Sequence, residues 1–310
     1  MIHIACNIDD NYAMQCCTML VSVMYNNQDE DICFHIISHD LSKDIKNKIQ
    51  LHVGKFHQKV TFYNIPQKLY DSFPAIGNSH ITIATYFRLF IGEILPDDIH
   101  KAIYLDCDLI VDGNLKDLWA TNIDNHALAA VEDMWSGKDD CYKRLQYDRQ
   151  YTYFNAGVLL LNLDYWRKND LSRICAAYMS EHKGELIFND QDVLNAQLHN
   201  QKLLLPFYWN VQDGLLRRHK RIRPEMLSQV EKETRHPVII HYTGHRKPWM
   251  HICLNPYRNL FFKYLDMTDW KGFRPHVPLS WKCKTILDTL LYTLRLKPKK
   301  YDTQLLDISE

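Results

Sequence analysis

The chain has 310 residues, 46% of them hydrophobic, and its 37 basic side chains balance 37 acidic ones. Such a length gives one large or two modest domains, and such a composition excludes collagen-like, disordered and small disulfide-rich chains. A formal net charge of zero leaves no basic footprint for nucleic acid. In chain order, residues 2–8 predict a buried strand, 12–25 a helix and 32–38 a second strand. Ser42 predicts the cap of a helix whose apolar positions are Ile45, Ile49, Val53 and Phe56. Residues 60–65 form a third strand candidate, stopped at Pro66. This strand and helix alternation predicts an α/β layer architecture with a parallel sheet. Residues 83–94 read as a buried helix, and 101–105 as a strand running through Asp106-Cys107-Asp108 into 109–111. Then come a strand at 126–131, a polar, Tyr-rich loop or short helix at 137–151, a strand at 157–162 and a helix over 164–182. A helix over 190–199 and a last strand at 238–242 follow. Beyond about residue 250 the sequence becomes richer in aromatic and basic residues, which divides the chain into a domain at 1–250 and a C-terminal subdomain and tail at 251–310.

Nine cysteines are present, none at C-x-x-C spacing, and most sit in apolar runs. They predict reduced, buried thiols in a reducing compartment. The first residues lack the basic region of a signal peptide, and no run of 18 apolar residues predicts a membrane span. G-x-G-x-x-G, the P-loop, H-E-x-x-H and G-x-S-x-G are all absent from the sequence.

Asp-x-Asp occurs at Asp29/Asp31, Asp106/Asp108 and Asp190/Asp192, and only the middle pair ends a strongly apolar strand. Ligands of open α/β sheets bind beyond the carboxyl ends of the strands. Carboxylates two apart in extended chain point the same way and repel unless a cation or a shared proton intervenes. The pair therefore reads either as a divalent-metal site or as a chance occurrence. Asn155, just before an apolar strand, reads as a turn cap or a site residue. Asp190 reads as the N-terminal carboxylate of a helix or a site residue. His241 ends an apolar strand, as a hydrogen-bonded core residue or a ligand. Lys247, near Gly244, reads as a phosphate contact or a solvated surface residue.

Six stretches together resemble glycosyltransferase family 8, most closely its bacterial lipopolysaccharide galactosyl- and glucosyltransferases. They are Asn7-Ile8-Asp9-Asp10-Asn11-Tyr12, His80-Ile81-Thr82-Ile83-Ala84-Thr85-Tyr86-Phe87-Arg88 and Tyr104-Leu105-Asp106-Cys107-Asp108. Next come the segment Tyr153-Phe154-Asn155-Ala156-Gly157 with its following strand, then Asn189-Asp190-Gln191-Asp192, then His241-Tyr242-Thr243-Gly244-His245-Arg246-Lys247. The resemblance covers about residues 1–250 in order. It implies a GT-A, Rossmann-like nucleotide-sugar-binding fold with a small C-terminal helical tail. It also implies transfer of a hexose, galactose or glucose, from a UDP-sugar with retention, to a saccharide or glycolipid acceptor such as lipopolysaccharide. By resemblance, Asp106, Asp108 and His241 hold Mn²⁺, and this mixed oxygen and nitrogen set favours Mn²⁺ over Mg²⁺. Asn7, Asp9, Asn11, Arg88, Cys107, Gly244 and Lys247 match the donor-binding positions of the family. Asp133 matches an acceptor-side aspartate, and Asn155, Asp190 and Gln191 match residues around the sugar and the reacting carbon.

Residues 281–301 carry six basic side chains against Asp288, with Ile286, Leu287, Leu290, Leu291 and Leu294 at helical spacing. Such a helix lies on an anionic membrane or packs on its own domain. The expectation is a cytoplasmic enzyme, peripheral at the inner face of the cell membrane. Rival readings are a glycogenin-like self-glucosylating primer, a non-catalytic nucleotide-sugar-binding protein and a metal-dependent phosphohydrolase.

Overall fold

The computed structural model describes residues 1–70, 83–182 and 184–301. Ten strands are present among them: β1 (Ile2–Asn7), β2 (Ile32–Ser38), β3 (Lys59–Asn64), β4 (Lys101–Leu105), β5 (Leu109–Val111), β6 (Leu128–Glu132), β7 (Phe154–Asn162), β8 (Lys202–Leu205), β9 (Val211–Gln212) and β10 (Ile239–His241). Seven form one sheet in the order β3-β2-β1-β4-β7-β6-β8, and β5-β10-β9 form a second. The large sheet is not all parallel. β7 runs antiparallel to both β4 and β6, while the remaining strand pairs of the sheet are parallel.

Both faces of the large sheet are covered. Ile4, Cys6, Ile103 and Leu105 enter one core with Met19, Leu20 and Val23 of the helix Ala13–Asn26. The alternate residues Ala5, Ala102 and Tyr104 enter the other, with Phe87, Phe90, Leu159 and Trp166. A strand buried on both faces reads as a continuous apolar run, which is why these strands were legible and their direction was not. A third cluster joins the small sheet to the helix Arg258–Leu265 through Ile110, Ile240, Tyr242, Phe261 and Tyr264.

Several boundaries differ from expectation. Residues 83–90 wind as a 3₁₀ helix before one α turn, Ile91–Ile94. The helix expected over 164–182 is two, Leu163–Lys168 and Leu171–Glu181, parted at Asp170 with φ 54°. β7 begins at Phe154, so Asn155 lies inside a strand rather than in a turn. Ser42 does cap its helix, accepting from the Ile45 N–H. All nine cysteines are unpaired, and seven are buried; Cys33 is partly exposed and Cys283 exposed. Among the described residues no helix is long and apolar enough to cross a membrane.

Candidate active site

The segment Asp106-Cys107-Asp108 joins the two sheets: β4 ends at Leu105 and β5 begins at Leu109. Backbone bonds fix both aspartates. The Asp106 N–H donates to Gly157 O at 2.9 Å, and the Tyr242 N–H donates to Asp108 O at 3.0 Å. Because β10 pairs with β5 with His241 opposite Leu109, the imidazole arrives beside the carboxylates. One ligand atom each from Asp106, Asp108 and His241 lie within 4.8 Å of one another.

Each carboxylate has its own counter-charge. Arg88 Nη2 lies 2.8 Å from Asp106 Oδ1, which also accepts from the Tyr104 hydroxyl at 2.9 Å. Lys247 is ion-paired with Asp108 Oδ2, and His241 Nε2 stands 3.1 Å from Asp108 Oδ1. Burial pushes the Asp108 carboxyl up, but Lys247 and His241 outweigh it and hold the group well below the ordinary carboxylate range. Burial alone would favour a neutral Arg88; Asp106 and Asp190 reverse this and keep it charged.

The tautomer of His241 follows from a chain of amides anchored on backbone donors. The Ala156 N–H donates to Gln191 Oε1 at 3.0 Å, and the Gly157 N–H to Asn155 Oδ1 at 3.0 Å. Those acceptors leave Asn155 Nδ2 and Gln191 Nε2 to donate to Asp133 Oδ2, at 3.0 and 3.2 Å. Asn210 Nδ2 then donates to Asn155 Oδ1 at 2.8 Å, which turns Asn210 Oδ1 toward His241 Nδ1 at 3.0 Å. His241 Nδ1–H is therefore the donor, and Nε2 faces the aspartates, where it bonds Asp108 Oδ1 at a place that a cation would take. Two carboxylates and an imidazole nitrogen directed at one point suit a divalent cation.

Their convergence depends on glycine at position 157. A Cβ at Gly157 would overlap the His241 ring and stand 2.7 Å from Asp106 Oδ2. No other residue type fits there without displacing the His241 or Asp106 side chain.

Asp190 opens the helix Asp190–Leu198 but does not cap it; Asn189 holds the N-cap position. Its carboxylate accepts from the Thr85 hydroxyl and meets Arg88 Nε at 2.9 Å. Burial raises its pKa to about 6, with Arg88 and Thr85 opposing the shift and Asp106 adding to it. Asp133 is buried as well, and desolvation lifts its pKa against three hydrogen bonds that lower it.

Between the ends of β1 and β4 lies an open cavity lined by Asn7, Asp9, Tyr12, Thr85, Arg88, Tyr104 and Asp106-Cys107-Asp108. Asn7 stands out, since both polar atoms of its side-chain amide are buried there without a partner. A buried amide left unpaired is costly, and a ligand that bonds it removes the cost. Asp9 lines the cavity and also caps the turn Asp10–Tyr12, accepting from the Asn11 and Tyr12 N–H groups at 3.0 and 3.2 Å. Asn11 is exposed and does not line the cavity. Gly244 takes φ 80°, a conformation glycine adopts readily, at the start of the turn that presents Lys247.

Most of the residues singled out from sequence thus converge: Asp106, Asp108, His241, Arg88, Lys247, Asp190, Asn155, Gln191 and Asp133 form one bonded group. His80, Ile81 and Thr82 lie outside the described residues. Sequence reasoning missed Asn210, Thr85 and Tyr104. Tyr104 was findable, two residues before Asp106 on the same strand. Nothing local marks Asn210, which is fully buried between Trp209 and β9.

The model of glycosyl transferase family 8 matches residues 3–253. General stress protein A of Bacillus subtilis (strain 168) is 32% identical over 275 residues, 87% of this chain and 95% of that protein. Lipopolysaccharide 1,3-galactosyltransferase of Salmonella typhimurium (strain LT2) is 25% identical over 86% of this chain and 79% of its own length. The structure of the galactosyltransferase LgtC with donor and acceptor sugar analogs superposes with a TM-score of 0.77 at 27% identity, covering 91% of this chain and all of that one. With the family model spanning most of its length and the same mixed α/β architecture, the chain belongs to glycosyltransferase family 8.

Proposed function

We propose that this protein transfers a hexose, galactose or glucose, from a UDP-sugar to a saccharide acceptor of the cell envelope, with retention at the anomeric carbon and with Mn²⁺ as cofactor. The observation that carries the reading is the Asn210-locked His241, whose Nε2 faces Asp106 and Asp108 beside a cavity with an unsatisfied Asn7.

Asp106, Asp108 and His241 would hold the ion, with the diphosphate oxygens completing its shell. When bound, such an ion neutralises charge that builds on a departing diphosphate. The residues of the chain do the rest. Asn7 and Asp9 receive the nucleoside end of the donor in the cavity. Lys247, paired with Asp108 in the free protein, turns to the diphosphate and stabilises it as it leaves. Arg88, bridging Asp106 and Asp190, fixes both carboxylates at the donor sugar. Asn155 and Gln191 hold the sugar's face, and Asp133 lies on the acceptor side. The bond from the anomeric carbon to the β-phosphate oxygen breaks, leaving an oxocarbenium-like centre. The acceptor hydroxyl attacks from the same face and its proton passes to the departing phosphate, which retains configuration. A glycosyl adduct trapped on Asp190 would replace this front-face route with a covalent one.

The helix Leu279–Thr293 supports a peripheral membrane contact. Ile286, Leu287, Leu290 and Leu294 are each more than half exposed, beside the exposed Lys282 and Lys284. A lipid-linked acceptor would be met at that surface.

The test is UDP release from a panel of UDP-sugars, with Mn²⁺ or chelator. Slow, Mn²⁺-dependent cleavage of one UDP-hexose, lost in Asp108→Ala, supports the reading. Cleavage that survives both chelator and the substitution removes it.

A further inference from the structure

At the opposite end of β1 from the catalytic cavity stands a second set of ligand side chains. His3 on β1 is the register partner of Cys33 on β2, and His35 lies two residues further along β2. With the period of two, all three leave the same face of the sheet. His3 Nδ1 and His35 Nε2 are 3.0 Å apart, and the rings stack with centroids 5.2 Å apart. One ligand atom from each of His3, Cys33 and His35 lies within 4.8 Å of the others.

The separation of the two nitrogens is close to what a tetrahedral ion requires, and the thiol is within reach of the same point. With metal–nitrogen bonds of about 2.0–2.1 Å and a metal–sulfur bond of about 2.3 Å, two bound nitrogens sit roughly 3.4 Å apart. The two imidazoles need open by only a few tenths of an ångström. His35 also has its outer partner in place: Nδ1 faces the Tyr63 hydroxyl at 3.0 Å, the kind of hydrogen bond that orients a ligating imidazole. Burial, then the neighbouring His3, hold the His35 pKa down at about 4, so the ring is neutral at physiological pH, as a ligand must be. Burial, then the N-terminal ammonium, hold the His3 pKa below its usual value, with Asp98 opposing the shift. Cys33 is partly exposed, so an ion can reach the group.

We propose that His3, Cys33 and His35 form a zinc site with its fourth position open to water. The donor set separates it from the catalytic group: one thiolate with two imidazoles suits Zn²⁺, whereas two carboxylates with one imidazole suit Mn²⁺. None of the three side chains lines the catalytic cavity.

Two measurements on the full, Mn²⁺-loaded chain test this. The first is the alkylation rate of each cysteine by peptide mapping, with and without Zn²⁺. At a zinc concentration 100 times Kd, Cys33 should react about 100-fold more slowly while the exposed Cys283 reacts as before. Cys33 alkylation unchanged by saturating zinc would overturn the proposal without any variant having to fold. The second is Co²⁺ absorption, whose near-ultraviolet thiolate band reports a cysteine ligand. The band should vanish in Cys33→Ser and persist in Cys16→Ser, because Cys6, Cys16 and Cys107 form a separate buried thiol group that could also take Co²⁺. A band that survives Cys33→Ser, or is lost in Cys16→Ser, contradicts the assignment.

Discussion

Asp106-Cys107-Asp108 and Asp190-Gln191-Asp192 have the same spacing and opposite fates. The first leaves a strand through a turn at Cys107 and Asp108, and its carboxylates face one point with His241. The second opens a helix, where residues two apart point to nearly opposite sides. Asp190 turns to Arg88 at the site, while Asp192 turns away and is consumed by the fold. Asp192 takes a bidentate pair from Arg144 at 2.6 and 3.0 Å, the Tyr153 hydroxyl at 2.8 Å and the N–H groups of Ile187 and Phe188. Identical sequence spacing means a paired ligand on one backbone and a division of labour on another.

Substitutions can break or sharpen that contrast. The largest effect belongs to Asp108→Ala, which should cut UDP-sugar cleavage by on the order of 10³-fold, consistent with removing a group that holds the transition-state cation. Its melting temperature should fall only modestly, since the flexible Lys247 side chain that loses its partner can turn to water. Asp192→Ala should do the reverse. It strands a partly buried Arg144 and two N–H groups, costing about 3–5 kcal/mol, which lowers the melting temperature by roughly 10 °C. Turnover per folded molecule at low temperature should change little. Equal catalytic loss in both variants would erase the distinction.

Asn210→Ala frees the His241 ring to rotate. The apparent Mn²⁺ affinity should fall about 10- to 100-fold, with kcat restored at saturating Mn²⁺. A kcat defect that excess Mn²⁺ does not repair would show that Asn210 acts on something other than the ligand. Asp190, raised by burial to about 6, is ionised above that pH and protonated below it. At saturating Mn²⁺, kcat should therefore decline as pH falls through about 6, and Asp190→Asn should abolish that limb. Smallest is the effect of Leu290→Asp in the exposed C-terminal helix. It should reduce sedimentation with anionic vesicles and leave activity on a soluble acceptor unchanged; unchanged vesicle binding would place membrane contact elsewhere.

What could be read ahead of the structure was local. The second strand and the Ser42 cap depend on neighbouring residues and form as expected, whereas the acidic pair at the end of β4 sits in a turn rather than in the expected extended chain. The antiparallel entry of β7 was not readable, because a strand buried on both faces shows the same apolar run in either direction. β8 and β9, four and two residues long, are too short to show a period. Asn155 looked like a turn residue because its partners Asp133, Gln191 and Asn210 lie 22, 36 and 55 residues away. Asn210 itself carries no signal, since its whole role is to hold a histidine 31 positions later. The acidic pair and the histidine were visible in the sequence, and the residues that aim them were not.

The most direct test of the central claim is Mn²⁺ binding in the presence of UDP, followed by electron paramagnetic resonance of the free ion. Wild type should bind one ion per chain. Asp108→Ala and His241→Ala should lose it, while Asp31→Ala, in the exposed Asp29/Asp31 pair, should keep it. Mn²⁺ bound equally by wild type and by both ligand variants would contradict the account.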